Sequence, residues 1–89
     1  MAFLPKDLSV LAYANGFTLW HYTTQDAHTA VRVAGYFNGA SHVLRLGDMI
    51  LVNTSTGGTL AAGILLVNAN SAGTVDVSDL TPVGAVDSD

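Results

Sequence analysis

The fold turns on Met49–Leu80, MILVNTSTGGTLAAGILLVNANSAGTVDVSDL. Met49-Ile50-Leu51-Val52-Asn53 is an apolar run short enough for a buried strand. It ends in Thr54-Ser55-Thr56-Gly57-Gly58, a hairpin-type turn in which glycine tolerates positive φ. Thr59–Asn68 is a second apolar strand, and Gly63 inside it marks a bulge or a close backbone approach. Asn68–Gly73 turns the chain again. Thr74–Leu80 then alternates, with Val75 and Val77 inward and Thr74, Asp76 and Ser78 outward. Three strands at this spacing form a meander.

Working outward, Phe17–Tyr22 is rich in aromatic and β-branched residues and reads as a strand with both faces occupied. Thr23-Thr24-Gln25-Asp26 offers a threonine cap answered by an acid, and Ala27, Ala30, Val31 and Ala34 recur at helical spacing before Gly35. This predicts one helix over Thr24–Ala34. Tyr36–His42 reads as a turn region able to carry a short helical turn, and Arg45-Leu46-Gly47-Asp48 has turn chemistry. The first stretch, Met1–Gly16, mixes apolar residues with Pro5, Lys6 and Asp7 and closes in Asn15-Gly16, so it reads as an extended arm, able to dock on a neighbour, or a short irregular turn leading into a β-turn. Thr81–Asp89, with Pro82, Gly84 and an acidic end, reads as a tail that a partner would order. The expectation is a single domain over 1–89, with arm 1–16, β-rich core 17–80 and tail 81–89. Its fold class is mainly β: a small barrel or curled antiparallel sheet of four to five strands with one short helix.

Composition points to assembly. A chain of 89 residues buries only roughly 60–65% of the surface it exposes when unfolded, so a private core gives little stability. Apolar residues, with glycine included and tyrosine left out, exceed half of the chain, against a usual ~45–50%. Charged residues are only 11%, against a usual ~25%, and glutamate is absent. Interface cores are depleted in those residues, so the shortage implies surface reserved for other subunits. A net charge of −4 with Lys6, Arg32 and Arg45 as the fixed cations leaves no basic stripe for phosphates, and no nucleic-acid partner is expected. The absence of cysteine excludes thiol chemistry and a disulfide framework. The opening lacks the basic and apolar regions of a signal peptide, and no segment approaches the ~18 apolar residues of a membrane span, so cytoplasmic synthesis is expected.

Candidate chemistry is weak. His21, His28 and His42 have no metal-motif spacing. Asp76, Asp79, Asp87 and Asp89 lack the turning glycine and bidentate glutamate of a calcium loop, and read better as a solvated acidic face. No lysine or helix start follows Gly57-Gly58 to cradle phosphate, and the many Ser and Thr residues give no G-x-S-x-G elbow. The expectation is therefore no enzyme, no cofactor and no metal. Trp20 beside Tyr22 could stack on a sugar, although packing or subunit contact explains the pair as well. Trp20, Tyr22, Tyr36 and Phe37 are the expected interface anchors, because desolvated aromatics dominate interface energetics. Arg32 and Arg45 are the cations expected to meet an acidic patch, and Arg45 has a rival partner in Asp48 across the turn.

The segments Ala14–Thr24 (ANGFTLWHYTT), Ala34–Ala40 (AGYFNGA) and Leu46–Ile50 (LGDMI) occur in an order that resembles a group of small head proteins of tailed bacteriophages and gene transfer agents. The similarity covers about residues 14–80. Such proteins sit outside the capsid shell, as cement between capsomers or as the base of head spikes and fibres. The resemblance implies attachment to the major capsid protein on the outer surface of the virion head, as a homotrimer first and a pentamer second. It carries over no catalytic residue. Two other readings stay open: a spike base that binds host glycans, and a tail or neck adaptor.

Overall fold

The computed structural model describes residues 3–84 and shows a mainly β fold built on one mixed, curled sheet of six strands. The strands are β1 (Leu8–Ala14), β2 (Phe17–Thr23), β3 (Met49–Thr54), β4 (Ala61–Ser71), β5 (Thr74–Val77) and β6 (Thr81–Pro82). Their order is β1-β2-β3-β4-β5, with β6 paired to β4 beside β5. The sheet does not close into a barrel, and its strands exceed the four to five expected.

The meander is present. β3 and β4 pair antiparallel from Met49↔Leu66 to Thr54↔Ala61, and β4 continues into β5. The turn between β4 and β5 is tighter than its sequence suggests. Only Ala72 and Gly73 lie between the paired residues Ser71 and Thr74, both at positive φ, the geometry that matches strand twist in two-residue hairpins. Gly63 marks a close approach, not a bulge: the β3–β4 register runs through it evenly, while a Cβ there would strike the carbonyl oxygen of Thr81.

Three expectations are corrected. Within residues 3–16 the chain is not an extended arm, although it does close in the expected β-turn. Its Leu8–Ala14 portion is strand β1, joined to β2 by the Asn15-Gly16 turn, and Phe3 packs on the chain's own core, 5.4 Å between ring centroids from both Tyr22 and Phe37. A bulge between Val10 and Ala12 breaks the inside-outside alternation that would have marked the strand. The helix is α1, His28–Val31, not Thr24–Ala34. Thr24 N–H donates to Asn53 O and Ser55 N–H to Asp26 O, so residues 24–26 are tied to the end of β3 and cannot start a helix. Of the apolar positions at helical spacing, Val31 alone is buried. The sheet is not purely antiparallel, because β2 and β3 run parallel from Leu19↔Met49 to Thr23↔Asn53. That pairing needs a long crossover, which residues 24–48 supply. Of the expected C-terminal tail, Thr81-Pro82 is strand β6; residues 85–89, like residues 1–2, lie outside the described part.

The core fills the space between one sheet face and the 24–48 crossover. Tyr22, Ile50, Val52, Leu65, Val67, Val75 and Val77 meet Val31, Phe37, Ala40 and Leu44 there. Asparagines pin the crossover to the sheet: Asn70 Nδ2 donates to the carbonyls of Ser41 and Leu44, and Asn38 Oδ1 accepts from Val75 N–H.

Candidate interaction surface

The six expected interface residues part company. Trp20, Tyr22 and Phe37 are buried within the chain's own core, at 8%, 0% and 1% exposure. They are corrected from surface anchors to core residues, because the crossover and Phe3 close over the sheet face on which Trp20 and Tyr22 stand. Tyr36 is half-buried at the rim of the same aromatic group. Arg32 reaches Asp79 at 3.8 Å, an exposed pair worth little in water. Arg45 is exposed at the head of the turn before β3.

Two buried carboxylates, Asp26 and Asp48, read from the sequence only as a cap acid and a turn partner, hold the aromatic residues in place. Asp48 Oδ2 accepts from the indole Nε1–H of Trp20 and from the backbone N–H of Arg45, and Oδ1 accepts from Thr18 N–H, all at 3.1 Å. The rival partnership of Arg45 and Asp48 is thus real, but it runs through the arginine backbone. At the other end of the core a relay runs in one direction. Leu4 N–H donates to Tyr22 Oη, Tyr22 to Tyr36 Oη, and Tyr36 to Asp26 Oδ2 at 2.7 Å. Burial first, then the hydrogen bonds with Tyr22 and Asp26, push the Tyr36 phenol well above its usual range. The available signal was an aspartate in a charge-poor chain directly before an apolar strand, Gly47-Asp48-Met49. Such an acid either faces water or is bonded where the chain turns into the core.

Among the described residues no element covers the sheet's second face. Strand pairing sets Leu19, Met49 and Leu66 in one row, with Ala12 of β1 at its end. His21, Leu51 and Ile64 form the next row, and Thr23, Asn53 and Ala62 the third. Phe17 extends the face beyond β3 and rests on Gly47, where a Cβ would come within 2.6 Å of its ring. Phe17, Met49 and Leu66 are 57%, 48% and 42% exposed. No Asp, Glu, Lys or Arg lies in these rows, and two of their three polar members, His21 and Asn53, bond to each other at 3.1 Å. Two shallow hollows of about 190 and 200 Å³ indent the face, one between Ala12, Phe17 and Met49, the other between His21, Leu51 and Val83. Sequence alternation alone could have found it, because β3 and β4 are apolar at consecutive positions and so cannot bury both faces in a single layer.

The described residues hold no cluster of three His, Asp or Glu side chains able to bind a metal, and none of their helices is long and apolar enough to cross a membrane. A further hollow of about 420 Å³ lies between His28, Leu60, Leu80 and Val83. His28 Nδ1 is buried with no hydrogen-bond partner among the described residues, and no nucleophile stands beside it in that lining. Compared with protein-family models, curated proteins and solved structures, the chain matches none.

Proposed function

We infer that the chain is a structural, non-catalytic subunit that works by docking its uncharged sheet face on other protein subunits. In keeping with the resemblance of Ala14–Ile50, it decorates or cements the outer surface of a tailed-phage head by binding the major capsid protein. The observation that carries this reading is the second face of β2, β3 and β4, a largely apolar surface without Asp, Glu, Lys or Arg. Depletion of charge with retention of Met, Phe and Leu is what distinguishes the centre of a protein interface from ordinary surface. Exposed apolar area of this kind marks a contact site in a soluble protein. A cement protein stabilises the shell it binds by mass action, since it binds the assembled state.

The test is a Met49→Lys, Leu66→Lys double variant added to particles lacking the protein. Wild type should occupy the shell at hundreds of copies and raise its resistance to heat; the variant should fold, judged by circular dichroism, and fail to bind. A folded variant that binds as well as wild type defeats the reading, and about a dozen wild-type copies per particle favours a tail or neck adaptor instead. The glycan-binding alternative rested on Trp20 and Tyr22, and both are core residues.

A further inference from the structure

We propose that a second copy of this chain joins at the free edge of β1, in a twofold antiparallel pair centred on Tyr13. The proposal deepens the docking reading by naming one partner, and it is tested on the purified chain without any particle.

The two edges of the sheet are unlike. At the far edge, the outward groups of Val75 in the middle of the four-residue β5 are already taken: Val75 O accepts from Gly35 N–H and Val75 N–H donates to Asn38 Oδ1. β6 on the same edge is two residues long and ends in Pro82, which has no N–H to offer. At the near edge, Leu8–Ala14 (LSVLAYA) contains no charge and no proline, and from Ser9 onward it is exposed. Natural edges of this length are ordinarily blunted by charge, proline, a bulge or a covering loop, and of these β1 has only the bulge at Leu11. The bulge at Leu11 disrupts one half of β1 and leaves Ala12–Ala14 in even register with Phe17–Leu19.

The direction of the edge groups follows from the turn. Ala14 and Phe17 flank a two-residue hairpin, so they form a hydrogen-bonded pair, and Tyr13 and Thr18 form the next, non-bonded pair. Thr18 N–H confirms the phase, because it turns away from β1 to Asp48 Oδ1. The N–H and C=O of Tyr13 therefore point off the sheet, and among the described residues no group bonds to them.

A ring of copies joined edge to edge needs two unlike open edges, and the far edge is closed. Two copies of the same open edge satisfy each other: Tyr13 of each exchanges N–H and C=O with Tyr13 of the other. A twofold axis relating adjacent antiparallel strands stands perpendicular to the sheet. Both uncharged faces then point the same way. One face, about four strands by five residues, spans roughly 300 Å² in projection, short of the ~800 Å² per partner of a standard interface. Joined side by side, two faces come much closer to it.

Sedimentation equilibrium of the purified chain should give twice the 9.2 kDa chain mass, and Tyr13→Pro, which removes the outward N–H while sparing the bonds to β2, should give the chain mass with unchanged circular dichroism. In wild type, amide exchange at Tyr13 should slow by about tenfold or more as concentration rises through association. A wild-type monomer at high concentration, a trimer or larger ring, or a dimer that survives in folded Tyr13→Pro overturns the proposal. Should that variant unfold, the wild-type exchange decides: a Tyr13 amide that stays fast at every concentration overturns it as well. Failure of the wild-type chain to bind the shell while it still pairs in this way would count against the docking reading alone.

Discussion

Replacing Asp48 with alanine should cost this fold a large share of its stability. The carboxylate is 1% exposed and accepts three N–H groups. Removing it leaves the buried indole N–H of Trp20 unpaired, at about 1–3 kcal/mol. The backbone N–H groups of Thr18 and Arg45 are partly buried, so water replaces some of what they lose, and each adds about 1 kcal/mol. The total is about 3–5 kcal/mol. A chain of 89 residues has roughly 4–13 kcal/mol in all. Asp48→Asn keeps one oxygen, able to serve Trp20 and Arg45, but turns an NH2 toward the Thr18 N–H, and should cost about 1–2 kcal/mol. Urea unfolding at fixed protein concentration, followed by far-ultraviolet circular dichroism, reads the difference. With a slope near 1 kcal/mol per molar, as expected at the small end of the range, the alanine variant's midpoint should fall by about 3 M or more. In a Trp20→Phe background the same change should cost about 1–3 kcal/mol less, since the indole donor is already gone. An Asp48→Ala protein within about 0.5 kcal/mol of wild type would refute the reasoning.

Other expectations follow from single contacts. Because the Tyr36 phenol is held above its ordinary value near 10 in the fold, the unfolded chain loses that proton first; the Tyr36 share of stability is complete below pH 10 and falls as pH rises beyond it. Tyr36→Phe should flatten that alkaline decline in the urea midpoint. Gly63→Ala places a methyl against the Thr81 carbonyl and 2.7 Å from Leu80 Cδ1. It should cost about 1–3 kcal/mol and open residues 80–84 to proteolysis before the rest of the chain. Arg45→Glu leaves the backbone bond to Asp48 intact, so it should weaken attachment to the particle in a binding assay while leaving the melting temperature within a few degrees of wild type.

What the sequence made legible follows from which residues obey one rule at a time. The meander was readable because Val75 and Val77 alternate with polar neighbours and glycines punctuate the turns. β1 was not, because the bulge at Leu11 shifts its phase and from Ser9 onward it lies open to solvent, so burial imposes no pattern on it. The helix was over-read: Ala30 and Ala34 sit at helical spacing yet are exposed, while tertiary bonds to Asn53 O and Val75 O fix the chain on either side of α1. Excess apolar content pointed to surplus contact surface but could not say which residues form it. Which face of the sheet the crossover covers decides it: Trp20, Tyr22 and Phe37 lie in the enclosed core, while Phe17, Met49 and Leu66, comparable in size, lie on the other face. Asp48 reads from the sequence only as a turn residue beside Arg45, because its bonds to Thr18 and Trp20 join it to residues about thirty positions away along the chain.

The parallel seam between β2 and β3 has a consequence for the order in which the molecule is made. As the chain is synthesised, the hairpin of β1 and β2 is complete by Thr23, while its partner across the seam begins only at Met49. Until then β2 has one strand edge without its mate, and the side chain that later fastens Trp20 has not been joined to the chain. Asp48 arrives immediately ahead of β3 and bonds back to both Thr18 and Trp20. The residue that closes the seam is thus delivered with the strand it locks, and a newborn chain carries two open edges where the finished one carries one.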